Sequence, residues 1–262
     1  ELAIELAAAD VVADATPSRP ADAEAAVRRA RAALRSGAFV ALAGKTALAL
    51  AAPELVSGSN AGRVGVQAAL GGAGASLLRE LPELRLRCRE LALVGNVTTT
   101  VIVAAIEAGA TVAEGVADAD RRGLLEPDRS LDLDGVDAAT KLLAVHGAVF
   151  GERWLAPVPL AAIVRERVAD LDPGELRRRR ERGSTTRLVA RATRGGALRV
   201  AFEELPLGSP LAAPPDRVVY GYDLPDGVRV HTGLAIGHER TAAALHEDCR
   251  TAVQRRARGG AL

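Results

Sequence analysis

Five carboxylates and a lysine fall within the sixteen residues from Glu126 to Lys141: Glu126, Asp128, Asp132, Asp134, Asp137 and finally Lys141. Gly135 divides the run. Behind it Val136, Ala139, Leu142, Leu143 and Val145 recur at roughly helical spacing, which predicts a helix over 136–150. On that helix Asp137 and Lys141 stand four apart and share a face. Glu126, Asp128 and Asp132 fall on the loop leading in, where binding groups tend to sit. A lysine held by a carboxylate and ringed by further acids suits a small substrate bearing an ammonium group, and a reaction that moves a proton. A charged loop capped onto a helix, with a solvated ion pair, is the commoner use of such residues.

The run from Glu126 to Lys141 resembles the substrate loop and catalytic helix of the homoserine dehydrogenase family, E-x-D-P-x-x-D-x-x-G-x-D-x-x-x-K. Glu126, Asp132, Asp137 and Lys141 keep the full spacing, Gly123 matches a glycine just before it, and Arg129 replaces the proline. Other blocks follow in family order. The family's T-A-N-K corresponds to the stretch ending Gly44-Lys45, after the apolar segment 38–42. Its glycine-rich turn corresponds to 70–75, and its L-N-G-T-T-N-Y-I-L to 95–103. P-L-G-x-P-L-A is present at 206–212, and the closing glycine-rich block at 233–237 is followed by Thr241-Ala242. Lys45 and Lys141 are the only lysines in the chain. Four turn residues depart from the pattern: Gly44 for asparagine, Val97 for glycine, Thr100 for asparagine and Ala235 for glycine. Glycines in such turns serve positive φ or close backbone approach, which neither valine nor alanine supplies cheaply.

The resemblance implies an α/β chain. A partial dinucleotide-binding, Rossmann-like domain (1–58) would be joined to an α+β substrate and dimerisation domain with a mixed sheet (59–215). Residues 216–262 would return to the first domain. It implies interconversion of L-aspartate 4-semialdehyde and L-homoserine with NADP or NAD, in the aspartate-derived route to threonine and methionine. Lys141 and Lys45 would be catalytic, beside the reacting oxygen. Glu126, Asp132, Asp137 and Thr98 would bind the amino-acid substrate. Thr16, Pro17, Lys45, Gly123 and Gly237 would contact the cofactor. Backbone carbonyls of Gln67, Leu70, Gly72 and Gly74 would hold a monovalent cation. A homodimer is implied as well.

No G-x-G-x-x-G turn occurs, and the chain starts at Glu1 without a methionine anywhere, so it reads as beginning inside the nucleotide-binding domain. Two further readings stay open. One is a related dehydrogenase acting on another amino-aldehyde or amino-alcohol, suggested by Val97 and Thr100. The other is a non-catalytic homologue without cofactor binding, suggested by the absent phosphate turn.

The elements that must position these residues follow from the alternation of patterns. A strand ends near Pro17, a helix covers 21–36, and an apolar strand precedes Lys45. Stretches 63–70 and 86–94 are strand-like. Helices are expected over 98–108, 111–122, 136–150 and about 160–169, then strands over 186–193, 197–203, 217–223 and 227–235. A last helix, 238–255, should pack back on the first sheet. The net charge of +1 implies neither nucleic acid nor a membrane surface as partner. No apolar run approaches the ~20 residues of a membrane span. Cys88 and Cys249 suit a reducing compartment, and a cytoplasmic enzyme is expected. The scattered histidines offer no transition-metal spacing, and the arginine run 177–182 reads as a helix face. Hydrophobic content is 48% with 2% aromatic, so the core must rely on close helix packing more than on large side chains.

Overall fold

The computed structural model describes residues 3, 8–151, 158–212, 214–234 and 237–257. The chain divides into two compact units: Glu1–Leu86, Leu143–Val158 and Gly233–Leu262 form one, Arg87–Leu142 and Pro159–Thr232 the other.

The first unit carries a parallel three-stranded sheet, β1 (Val11–Asp14), β2 (Phe39–Leu42) and β3 (Val64–Gly65), in that order. Every residue of β2 is buried, as befits the middle strand of a parallel sheet. Helix α1 (Ala23–Arg35) links β1 to β2 and buries Ala26, Val27, Ala30, Ala33 and Leu34, positions three and four apart. Helices α2 (Thr46–Leu55) and α3 (Gly74–Arg87) follow β2 and β3. The final helix, His238–Ala257, packs on this sheet as expected, setting Leu245, Cys249 and Ala252 against Val11, Phe39 and Ala41.

The second unit is a six-stranded mixed sheet. Its strands are β4 (Glu90–Val94), β5 (Val164–Arg165), β6 (Ser184–Thr193), β7 (Leu198–Pro206), β8 (Val218–Leu224) and β9 (Gly227–Gly233), in the order β5-β7-β6-β4-β8-β9. β5 runs parallel to β7, and β4 lies antiparallel between β6 and β8. Its helices are α4 (Val97–Glu107), α5 (Val112–Arg121), the single turn α6 (Ser130–Leu133), the start of α7 (Val136–Phe150) and α8 (Pro173–Glu181). Ile102, Val103 and Ile106 of α4 pack with Ala119 and Leu176 from the neighbouring helices. The Glu107 carboxylate ties the end of α4 to β6, accepting from the Thr185 hydroxyl and the Thr186 amide. Arg178, Arg179 and Arg182 gather on Glu175, and Arg182 reaches Glu204, so the basic run is a charged helix face.

Three expectations are corrected. The strand over 63–70 is only Val64–Gly65, because the chain turns back on itself from Gln67 on. Residues 160–169 are not a helix; the turns Leu160–Ala162 and Val168–Asp170 flank β5 instead. The β-branched Val164 and its neighbour Arg165 pair with Arg199 and Val200 at the sheet edge, and Arg165 Nη1 donates to the carbonyls of Leu160 and Ile163. The expected strand 86–94 starts only at Glu90, because Leu86 and Arg87 complete α3.

Asp248, on the final helix, is buried and accepts a hydrogen bond from the Gln67 amide at 2.9 Å. Gly65 makes room for it: a Cβ there would lie 2.5 Å from the Asp248 carboxyl carbon. Burial pushes the carboxyl up to about 6. A carboxyl raised above its unfolded value favours folding at low pH, and that contribution is lost as pH rises through the folded value. Between about pH 4 and about pH 7.5 the wild type should therefore lose about 1–3 kcal/mol relative to Asp248→Asn. Thermal melts across that range check this; parallel pH trends for the two proteins would refute it.

Candidate active site

The acidic run folds around Asn96. β4 ends at Val94, and Gly95-Asn96 turns the chain into α4, with the Asn96 side chain accepting from the Thr99 amide at 2.9 Å as N-cap. The same side chain donates from Nδ2 to Asp132 Oδ1 at 2.9 Å and to Asp137 Oδ2 at 3.2 Å. Lys141 Nζ donates to Asp137 Oδ2 at 2.8 Å and to the Gly95 carbonyl. The Asp137 and Lys141 side chains are only 12% and 15% exposed, so this is not a solvated surface pair. Gly135, at φ +67°, supplies the left-handed turn that starts α7 and sets both residues on its first two turns.

Asp132 departs from the expected loop position. It lies in the turn α6 and is 4% exposed. Its second oxygen accepts from the Glu126 amide at 2.9 Å. Burial raises its carboxyl above the ordinary value, against the lowering effect of those two hydrogen bonds. Both oxygens are thus engaged in fixing the loop, while Glu126 itself is exposed. Thr98 also anchors the loop, donating from Oγ1 to the Leu124 carbonyl at 2.7 Å. Asp128 is exposed and caps Ser130.

The departures in this turn have local explanations. Val97 opens α4 without a positive φ, so the backbone here makes no demand for glycine. The Thr100 hydroxyl bonds back to the Asn96 carbonyl. Ala235 lies outside the described residues.

In the first unit, Thr16 and Pro17 follow the carboxyl end of β1, and Lys45 follows that of β2. Asp14 takes hydrogen bonds from the Thr16 amide and hydroxyl and from Arg29 Nε. Burial alone would raise its carboxyl, but these donors hold it below the ordinary value. Ser18 Oγ accepts from the Lys45 amide, and a Cβ on Gly44 would come within 2.9 Å of that oxygen. Glycine at 44 is therefore what lets the two strand ends close on each other. The neighbourhood beyond the carboxyl ends of parallel strands is where nucleotides bind in such sheets. Gly237 precedes the final helix at φ +77°, and Gly123 closes α5 at φ +66°.

The turn predicted to hold a cation is tightly bonded to itself. The Gln67 carbonyl accepts from Gly72, and that of Leu70 from Ala73. A Cβ on Gly74 would lie 2.2 Å from the Val66 carbonyl, so its glycine serves close packing. Among the described residues no cluster of metal-ligating side chains occurs.

Reasoning from sequence picked out Lys141, Asp137, Asp132, Glu126 and Thr98, and the fold brings all five into one unit. It missed Asn96, which bridges the two aspartates, and Gly95, whose carbonyl holds the lysine. It also missed Tyr220 on β8, fully buried against Gly95. Asn96 sat inside a quoted motif, and its place just before a helical stretch was the available signal.

A family model described as homoserine dehydrogenase matches residues 80–249. An NAD(+)-dependent homoserine dehydrogenase of Pseudomonas canavaninivorans is 26% identical over 95% of this chain and 72% of its own length. A homoserine dehydrogenase of Mycobacterium tuberculosis is 29% identical over 70% of this chain, which spans 42% of that protein. Among solved structures, a putative homoserine dehydrogenase of Archaeoglobus fulgidus superposes with a TM-score of 0.77 at 24% identity, covering 94% of this chain and 76% of that one. A hyperthermophilic archaeal homoserine dehydrogenase in complex with NADPH gives 0.75 at 21% identity, covering 97% and 74%.

Proposed function

Because the chain belongs to the homoserine dehydrogenase family, we propose that it is an NAD(P)-dependent oxidoreductase interconverting L-aspartate 4-semialdehyde and L-homoserine. The observation that carries this reading is the part-buried Lys141–Asp137 pair, held by Asn96 and the Gly95 carbonyl in the same unit as the exposed carboxylate of Glu126. Glu126 and Asp137 are the groups suited to a substrate ammonium, and Asp132 sets the loop that carries Glu126. Lys141 donates a proton to the carbonyl oxygen in the reducing direction and recovers it in the oxidising one; by resemblance Lys45 shares this role.

Thr16, Pro17 and Lys45, at the ends of adjacent parallel strands, fit the nicotinamide side of a dinucleotide, with Gly123 and Gly237 as further contacts. When bound, the nicotinamide supplies or accepts the hydride. The remaining work falls to this chain: orienting the carbonyl, neutralising charge on its oxygen and moving the proton.

A pair of copies joined through the sheet of the second unit, working in the cytoplasm on the route to threonine and methionine, belongs to the same proposal. A monomer in sizing experiments would remove the pairing. The activity is tested by following NADPH and NADH consumption with L-aspartate 4-semialdehyde. Semialdehyde-dependent consumption supports the reading, and none by the folded, full-length protein sinks it.

A further inference from the structure

Tyr220 stands on β8 opposite Leu93 of β4 and is 0% exposed. Its hydroxyl has no hydrogen-bond partner among the described residues. Its ring edge lies 3.5 Å, and its hydroxyl 3.9 Å, from where a Cβ on Gly95 would stand; Lys141 Cδ is 3.1 Å from the same point. The tyrosine and the stem of Lys141 thus share the space that Gly95 leaves by having no side chain. The hydroxyl also feels the Asp137 charge, and burial, with that charge, keeps it protonated. An unpartnered buried hydroxyl costs about 1–3 kcal/mol, and here the cost falls beside the lysine that the proposed reaction needs.

We propose that Tyr220 is a positioning residue for Lys141, its hydroxyl accepting an N–H from the ammonium when a substrate ammonium competes for Asp137. An ammonium has three N–H groups. In the structure two of them are engaged, by Gly95 and Asp137. In the loaded state the three would go to the Gly95 carbonyl, the Tyr220 hydroxyl and the reacting oxygen, so the lysine keeps its aim while Asp137 turns to the substrate. This inference rests on the functional reading above.

The test compares wild type with Tyr220→Phe, which deletes the hydroxyl alone. Carbon-13 at lysine Cε is followed in the full-length protein, the Lys141 signal being the one that disappears in Lys141→Arg. On adding L-homoserine with oxidised cofactor, the Lys141 signal should shift in wild type and shift less in Tyr220→Phe. The variant should lose about 10- to 100-fold in kcat with little change in KM, and its Tm should not fall. A wild-type kcat and an undiminished shift in Tyr220→Phe overturn the inference and leave the functional reading standing. Wild-type protein that neither turns over L-homoserine nor shows the shift overturns both.

Discussion

Lys141→Ala should lose about 10³-fold or more in kcat/KM for the semialdehyde, the scale of a positioned proton donor. The lysine stem runs beside Gly95, and its ammonium is held by a carbonyl and a carboxylate that are both largely shielded from water. The substitution also leaves Asp137 with the Asn96 donor but without its cation. Stability should therefore drop by about 1–3 kcal/mol, since breaking a shielded pair costs more than the pair contributes. Lys141→Met keeps most of the stem volume and separates packing from charge. Kinetics within about tenfold of wild type in both variants would exclude the lysine as proton donor.

Asn96→Ala should strongly destabilise the second unit. It removes the N-cap of α4, worth about 1 kcal/mol, and strips a donor at once from the buried Asp132 and the part-buried Asp137. Together these give a loss of about 2–5 kcal/mol, a large share of the ~5–15 kcal/mol typical of a domain. Asn96→Asp keeps a cap acceptor but sets a third carboxylate against Asp132 and Asp137. Near neutral pH it should melt below Asn96→Ala, and the deficit should shrink as acid neutralises the cluster. Melts of both variants across pH decide this. An Asn96→Asp protein melting with the wild type at neutral pH would mean that Asn96 does not hold the two aspartates apart.

Much of the site was legible in the sequence because its central contact is local. Asp137 and Lys141 are one helical turn apart, and Gly135 marks where that helix starts. What stayed hidden depends on chain segments brought together by the fold. Asn96 meets Asp132 and Asp137 across 36 and 41 residues, and no periodicity encodes that meeting. Tyr220 reaches Gly95 through the register of β4 and β8, which sequence patterning does not fix. The burial of Asp132 comes from a single helical turn, too short to leave a periodic trace. The failed helix over 160–169 is the ordinary ambiguity of a short apolar run; its residues found an open sheet edge.

The proposed reaction needs acidic side chains that read a substrate's ammonium while Lys141 serves its oxygen. The most direct measurement is cofactor reduction by the full-length protein with L-homoserine beside 4-hydroxybutanoate, which has the same carbon chain and hydroxyl but no ammonium. L-homoserine should be turned over with kcat/KM at least about 10³-fold higher, because the analogue forgoes the ammonium's ion pairs with Glu126 and Asp137. Equal use of the two compounds, or no reduction with L-homoserine, would contradict it.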